Sequence, residues 1–172
     1  MTNETLLAAL EQSTQAVLHA FSTFNSDNFN EKPSEAEWSA AQIAEHLLKV
    51  DVSTNKALFS ETVPTNRAPD EKNALIKGVM DDSSKRVAPE RVQPSNDVHE
   101  PAVLLGKIKE QHQLMKEAVS SSDITEACKA YKHPALGTMT KLEWVWFNIH
   151  HAERHLRQLQ QLKEKLNRAK AV

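Results

Sequence analysis

Glycine is scarce in this chain, with three in 172 residues, cysteine occurs once, and aromatic side chains make up only 5%. So few glycines argue against an all-β fold, whose many tight turns call on that residue's conformational freedom. With Cys128 alone, no internal disulfide can form, and the chain must hold itself together by packing. No stretch approaches the roughly 20 apolar residues of a membrane span, and no membrane partner is expected. Lys and Arg are nowhere dense, and the formal net charge is -2, so the electrostatic footprint of a nucleic-acid binder is missing. The opening residues, MTNETLLAALEQ, have neither the basic start nor the long apolar run of a signal peptide, which points to the cytosol.

What is present favours helices. Hydrophobic residues are 40% and charged residues 26% of a chain long enough to bury a substantial core, and one all-α domain over residues 1–172 is expected. Residues 3–24 read as a first helix, with Leu6, Leu7, Leu10, Val17, Phe21 and Phe24 near helical spacing and Thr2 or Asn3 as N-cap. A polar loop containing Pro33 follows. Ser39 and Gln42 then form a capping-box pattern that opens a second helix over about residues 40–59, with Ile43, His46, Leu47, Val50 and Thr54 on its inner face. Residues 61–97, with prolines at 64, 69, 89 and 94, form a long crossover in which only residues 71–80 look helical. A third long helix is expected at 98–120, with Pro101 in its first turn and His99 and His112 solvated. Residues 121–140 read as the last connection, with a short helical stretch near 124–130 and His133 exposed in the loop. His19 is read as a surface group without a role.

From residue 141 to the end there is neither Gly nor Pro, and the sequence predicts a long helix. His151 and His155 lie four residues apart, one turn apart on a single face. Trp144, Asn148 and Gln158 share that stripe, so the pair faces inward and can chelate a metal from one helix. The zinc-protease pattern is excluded, because Glu153 stands midway between the histidines rather than directly after the first. The di-iron bundle pattern is excluded too, since the residues three before His46, His150, His151 and His155 are Ile43, Phe147, Asn148 and Ala152. The late cations Arg154, Arg157, Lys163, Lys165, Arg168 and Lys170 complement the dipole at the helix C-terminus. By position alone His46 stays open between a hydrogen-bonded core residue and a ligand.

Three ordered segments bear on that choice. Trp38-Ser39 with Ala41, Ile43 and Glu45-His46-Leu47 opens the second helix, and Ala88-Pro89-Glu90-Arg91-Val92 with Pro94 lies in the crossover. His133-Pro134-Ala135-Leu136-Gly137 then leads through Thr140 and Glu143-Trp144 to His151, His155 and Gln158. Together they resemble the DinB-like superfamily, in its DinB_2 branch, over about residues 38–162. The resemblance implies a four-helix bundle with a long crossover, holding a divalent metal through His46, His151 and His155. His150, adjacent to His151, should point off the shared face and remains the competing ligand.

Three neutral imidazoles suit zinc or nickel, and also iron or cobalt, and leave a coordination position for water or substrate. A divalent ion there can acidify water or hold a thiolate, which supports hydrolysis or thiol transfer. The resemblance implies a small-molecule substrate and favours a thiol-dependent S-transferase using a low-molecular-weight thiol, with a hydrolase beside it. The alternative is a non-enzymatic bundle with a structural or vestigial metal, acting as a homodimer or through a protein partner. No general base emerges. Asn148, Gln42 and Asp51 are candidates to fix the imidazole tautomers. Trp38, Trp144 and Trp146 either line a pocket or pack the core, and Cys128 reads as a resting thiol.

Overall fold

A computed structural model describes residues 2–82, 84 and 87–170. Its long helices are α1 (Asn3–Ser22), α3 (Ala40–Leu58), α5 (Pro101–Ser121) and α6 (Lys141–Lys170), with α2 (Ser26–Phe29) and α4 (Asn73–Asp81) short. The long helices form the bundle. α3 packs on α5 and α6, α1 packs on the same two, and α4 lies against α6. Local chemistry sets the ends as expected. Thr2 accepts a hydrogen bond from the Thr5 amide, and Ser39 and Gln42 complete the capping box at 3.2 Å in each direction.

The connections depart from the reading above. Residues 124–130 are not helical: β2 (Ala127–His133) runs through them and pairs antiparallel with β1 (Thr62–Val63) and β3 (Gly137–Thr140) in a sheet of order β1-β2-β3. Gly137, at φ 66°, makes the turn from β2 into β3, a conformation only glycine adopts without strain. The loop before α3 also contains α2, started by an Asn25–Asn28 capping box.

The entry to α6 is tied down by a buried carboxylate. Glu143 accepts the Thr140 amide at 3.0 Å, while Thr140 Oγ1 accepts the Glu143 amide at 3.1 Å, a capping box at the helix start. Arg67 in the crossover donates to both Glu143 oxygens at 2.6 Å, and the Lys72 amide adds a bond at 2.9 Å. Burial pushes the Glu143 carboxyl up, but the bonds from Arg67, Thr140 and Lys72 outweigh it and hold it below the ordinary carboxylate value. A carboxyl with a depressed folded pKa stabilises the fold above its unfolded pKa, and that contribution disappears as pH falls through the lower folded value. Thermal melts should therefore lose stability as pH falls from the unfolded glutamate value of about 4.3 through the lower folded one. Glu143→Gln should flatten that part of the profile while costing about 1.5–3 kcal/mol at neutral pH, the scale of a charge-assisted hydrogen bond.

The apolar core divides in two. One cluster contains Leu6, Leu10, Met115, Val119, Met139 and Val145, and the other Val17, Phe21, Ile43, Leu47, Ile108 and Leu159. One group of buried polar residues draws a member from each long helix: Thr14, Asp51, His112 and Asn148. His112 Nδ1 lies 2.8 Å from Thr14 Oγ1 and its Nε2 lies 3.2 Å from Asp51 Oδ2, while Asn148 donates to Asp51 Oδ1 at 2.7 Å. His112 is thus a waist residue of the bundle, not a solvated one. His99 is half-buried and also partnered, with Nε2 3.2 Å from Glu45 Oε2.

Candidate metal centre

His46 projects from α3, and His151 and His155 project from adjacent turns of α6. All three are buried, at 4%, 9% and 6% exposure. Their ring nitrogens converge: His151 Nε2 lies 3.2 Å from His46 Nε2 and 3.2 Å from His155 Nε2, and the three ligand atoms fall within 4.8 Å of one another. Two nitrogens on a tetrahedral ion with metal–nitrogen bonds of about 2.0–2.1 Å stand about 3.3 Å apart, so the spacing suits shared coordination.

The opposite ring atoms establish which nitrogen is free. His46 Nδ1 lies 2.7 Å from the Val92 carbonyl oxygen, which can only accept, so Nδ1 carries the proton and Nε2 presents a lone pair. His155 Nδ1 donates in the same way to Gln158 Oε1 at 2.8 Å. His151 Nδ1 is buried with no partner among the described residues, so its ring lacks this anchor. Burial lowers the pKa of all three. It is the largest cause at His46, where the Val92 bond opposes it, and at His151, where His155 and His46 add to it; with His46 nearby it brings His155 to about 3. Near neutral pH the rings are uncharged, the form that ligates metals. The lone pairs of His46 and His155 Nε2 both face His151 Nε2, and three neutral imidazole nitrogens gathered in this way fit a bound divalent ion.

Other sequence candidates fall elsewhere. His150 faces away from the cluster, with Nδ1 2.8 Å from Glu153 Oε2 and its ring stacked on Trp146 at 5.3 Å. Asn148 and Asp51 belong to the waist layer, and Gln42 caps α3 and bonds Ser95 and Asn96, so none of the three holds an imidazole of the cluster. The tautomer partners are Val92, in the crossover segment noted in the sequence, and Gln158, on the inward stripe of α6. His133 is half-buried rather than exposed. It ends β2, accepts the Ala135 and Leu136 amides at Nδ1, and packs 4.8 Å from Phe147; burial takes its pKa down to about 4. Trp38 is half-buried with its ring 5.1 Å from that of His46, whereas Trp144 is buried against Phe147 at 5.8 Å. Cys128 is fully buried, and burial pushes its thiol up to about 11, which suits a resting group. Arg154 and Arg157 are not free cations: both donate to the Met80 carbonyl near the end of α4, as cations do at helix C-termini.

Fold and site together define a four-helix bundle whose facing helices bring three neutral histidines to one point, an arrangement suited to a divalent metal. The model of the DinB superfamily matches residues 9–159, and the chain belongs to that superfamily. It is similar to the uncharacterised protein YuaE of Bacillus subtilis (strain 168), with 28% identity over 143 residues, 83% of this chain and 88% of that one. Among solved structures it resembles TT2238, a four-helix bundle protein, with a TM-score of 0.55 and 20% identity over 93% of this chain and 99% of that one. That likeness concerns the fold alone. Among the described residues, no helix is long and apolar enough to cross a membrane.

Proposed function

We propose that this chain is a metal-dependent enzyme that acts on a small molecule at the His46–His151–His155 centre, as a thiol-dependent S-transferase or a hydrolase. The observation that carries the reading is the convergence of three neutral imidazole nitrogens, two with tautomers fixed by the acceptors Val92 O and Gln158 Oε1. When bound, a zinc or nickel ion supplies Lewis acidity and a binding position for sulfur or oxygen. The protein's part is to present the lone pairs in a dry setting and to leave a coordination position uncovered. Among the described residues no carboxylate joins the three-histidine group, so the chain offers three neutral ligands and keeps the ion's positive charge uncompensated. That favours an anionic partner such as a thiolate.

The burial of all three histidines supports a second reading, in which the ion staples α3 to α6 without chemistry. Cobalt substitution separates the two. Untagged protein should take up about one cobalt ion per chain, and adding a small thiol such as 2-mercaptoethanol should produce sulfur-to-cobalt charge-transfer absorption, because an open site admits a soft ligand. Uptake with a spectrum indifferent to thiol and to azide would place the chain with the structural bundles. An open site justifies screening thiol transfer and ester or amide hydrolysis.

A further inference from the structure

Residues 92–96, which begin at the last residue of the short 3-10 turn Glu90–Val92, lie against α3 as a strap. Only Val92 is buried; Gln93 and Asn96 are exposed and Pro94 and Ser95 half-buried, so apolar packing contributes little to holding the segment. Polar bonds to four positions on α3 do so instead. Lys49 Nζ donates to the Gln93 carbonyl at 2.7 Å, Gln42 Nε2 donates to the Ser95 carbonyl at 2.9 Å, and Glu45 Oε2 accepts both the Ser95 amide at 2.8 Å and Ser95 Oγ at 2.9 Å. Gln42 Nε2 also donates to Asn96 Oδ1 at 3.2 Å, and the fourth position is His46, whose Nδ1 donates to the Val92 carbonyl.

Glu45 is the centre of this arrangement. It is the one of the four that holds the strap by two bonds to a single residue, and it also meets Lys49 at 2.7 Å and His99 at 3.2 Å. The Val92 carbonyl is a main-chain group, and its place against His46 is set by whatever registers the strap on α3. Pro94 stiffens the two-residue link, Gln93 and Pro94, that separates Val92 from Ser95. A contact made at Ser95 is therefore transmitted to the carbonyl.

We infer that the 92–96 strap is the device that orients the ligand His46, with Glu45 as its positioning residue, so that strap closure and metal binding form one linked equilibrium. The inference rests on the metal-centre reading above. An outer partner of a ligating histidine fixes its tautomer and ring angle, and its loss typically weakens metal binding by about 10–100-fold. Linkage runs both ways: if a closed strap tightens metal binding, metal must hold the strap closed by the same factor.

The test uses zinc alone, measured by competition with a chromophoric chelator, together with amide hydrogen exchange at Ser95. Glu45→Ala is expected to weaken zinc binding by about 10–100-fold. Glu45→Gln removes the same charge but keeps an acceptor for the Ser95 amide and hydroxyl, and is expected to stay within about threefold of wild type. In the wild-type chain zinc should slow Ser95 amide exchange by at least about tenfold, and this measurement needs no variant to fold. Equal loss in the Gln and Ala variants would reduce the effect to charge, and a Ser95 amide indifferent to zinc would overturn the linkage. If the wild-type chain takes up no zinc, the metal centre itself is refuted, and the strap is judged separately. In that metal-free protein, the His46 Nδ1 proton should exchange faster in Glu45→Ala than in wild type, and an unchanged rate would overturn the positioning role.

Discussion

His151→Ala is expected to abolish stoichiometric metal binding, weakening affinity by well over about 100-fold, because loss of an outer partner alone costs about 10–100-fold. His151 is the middle member of the cluster: its Nε2 is 3.2 Å from the Nε2 of each of the other two rings, so its removal leaves two ligands, His46 and His155, with ring centroids 4.9 Å apart and nothing between them. The contrasting variant is His150→Ala. That ring belongs to the half-exposed side of α6, with Glu153 and Trp146, and its loss should leave metal content near wild type. Elemental analysis of both variants after exposure to zinc or nickel decides the assignment. Full metal content in His151→Ala, or its loss in His150→Ala, would reverse the roles of the two neighbours. His151→Ala need not unfold the bundle, since His151 Nδ1 has no partner among the described residues and the truncation orphans no hydrogen bond there. Unchanged helicity together with lost metal would separate a ligand from a packing residue.

That His150 and His151 face different sides of α6 was readable in the chain, because helical period is a local property. Two adjacent histidines cannot both lie on the stripe shared by Asn148, His155 and Gln158, and the spacing of four chose His151. The long helices were legible for the same reason, through the apolar period of α1, the Ser39–Gln42 box of α3 and the unbroken run of α6. The sheet was not. Ala127–His133 alternates poorly between buried and exposed, and β1, its partner on one side, has two residues. Its strand state comes from pairing with distant backbone, which overrides the helix-forming Ala and Lys in it. The Val92 carbonyl that fixes His46 was hidden more deeply, because a main-chain acceptor leaves no mark in residue identity. The Ala88–Val92 segment stood out only by resemblance, without a stated role. His112 misled for a related reason. Its neighbours Glu110, Gln111 and Gln113 make that stretch of α5 look solvated, and its partners Thr14 and Asp51 lie on other helices.

The second large effect is expected at that waist. Asp51→Ala should destabilise the fold by about 3–5 kcal/mol, the cost of breaking a buried charged contact by removing one partner. For a chain of this length that lowers the melting temperature by on the order of 10 °C. Asp51 is 2% exposed, accepts the Asn148 amide and has His112 Nε2 3.2 Å from its other oxygen, so its truncation strands the Asn148 amide and removes the acid that faces His112. Asp51→Asn should cost less, since an amide keeps an acceptor for one neighbour and a similar volume. The decisive comparison is the combined replacement of Thr14, Asp51, His112 and Asn148 by apolar residues of similar size. If the layer contributed net stability, the combined variant would be the least stable of all. Desolvation argues the opposite: removing every member strands no group, and the combined variant should recover most of what Asp51→Ala loses. What it should lose instead is a unique helix register, because one polar contact per helix fixes how the four elements slide past one another, and that register sets His46 opposite His151. A recovered melting temperature with broadened amide spectra and weakened zinc binding would show the waist layer to be a device for specificity. Sharp spectra with unchanged zinc affinity would leave registration to the apolar packing alone.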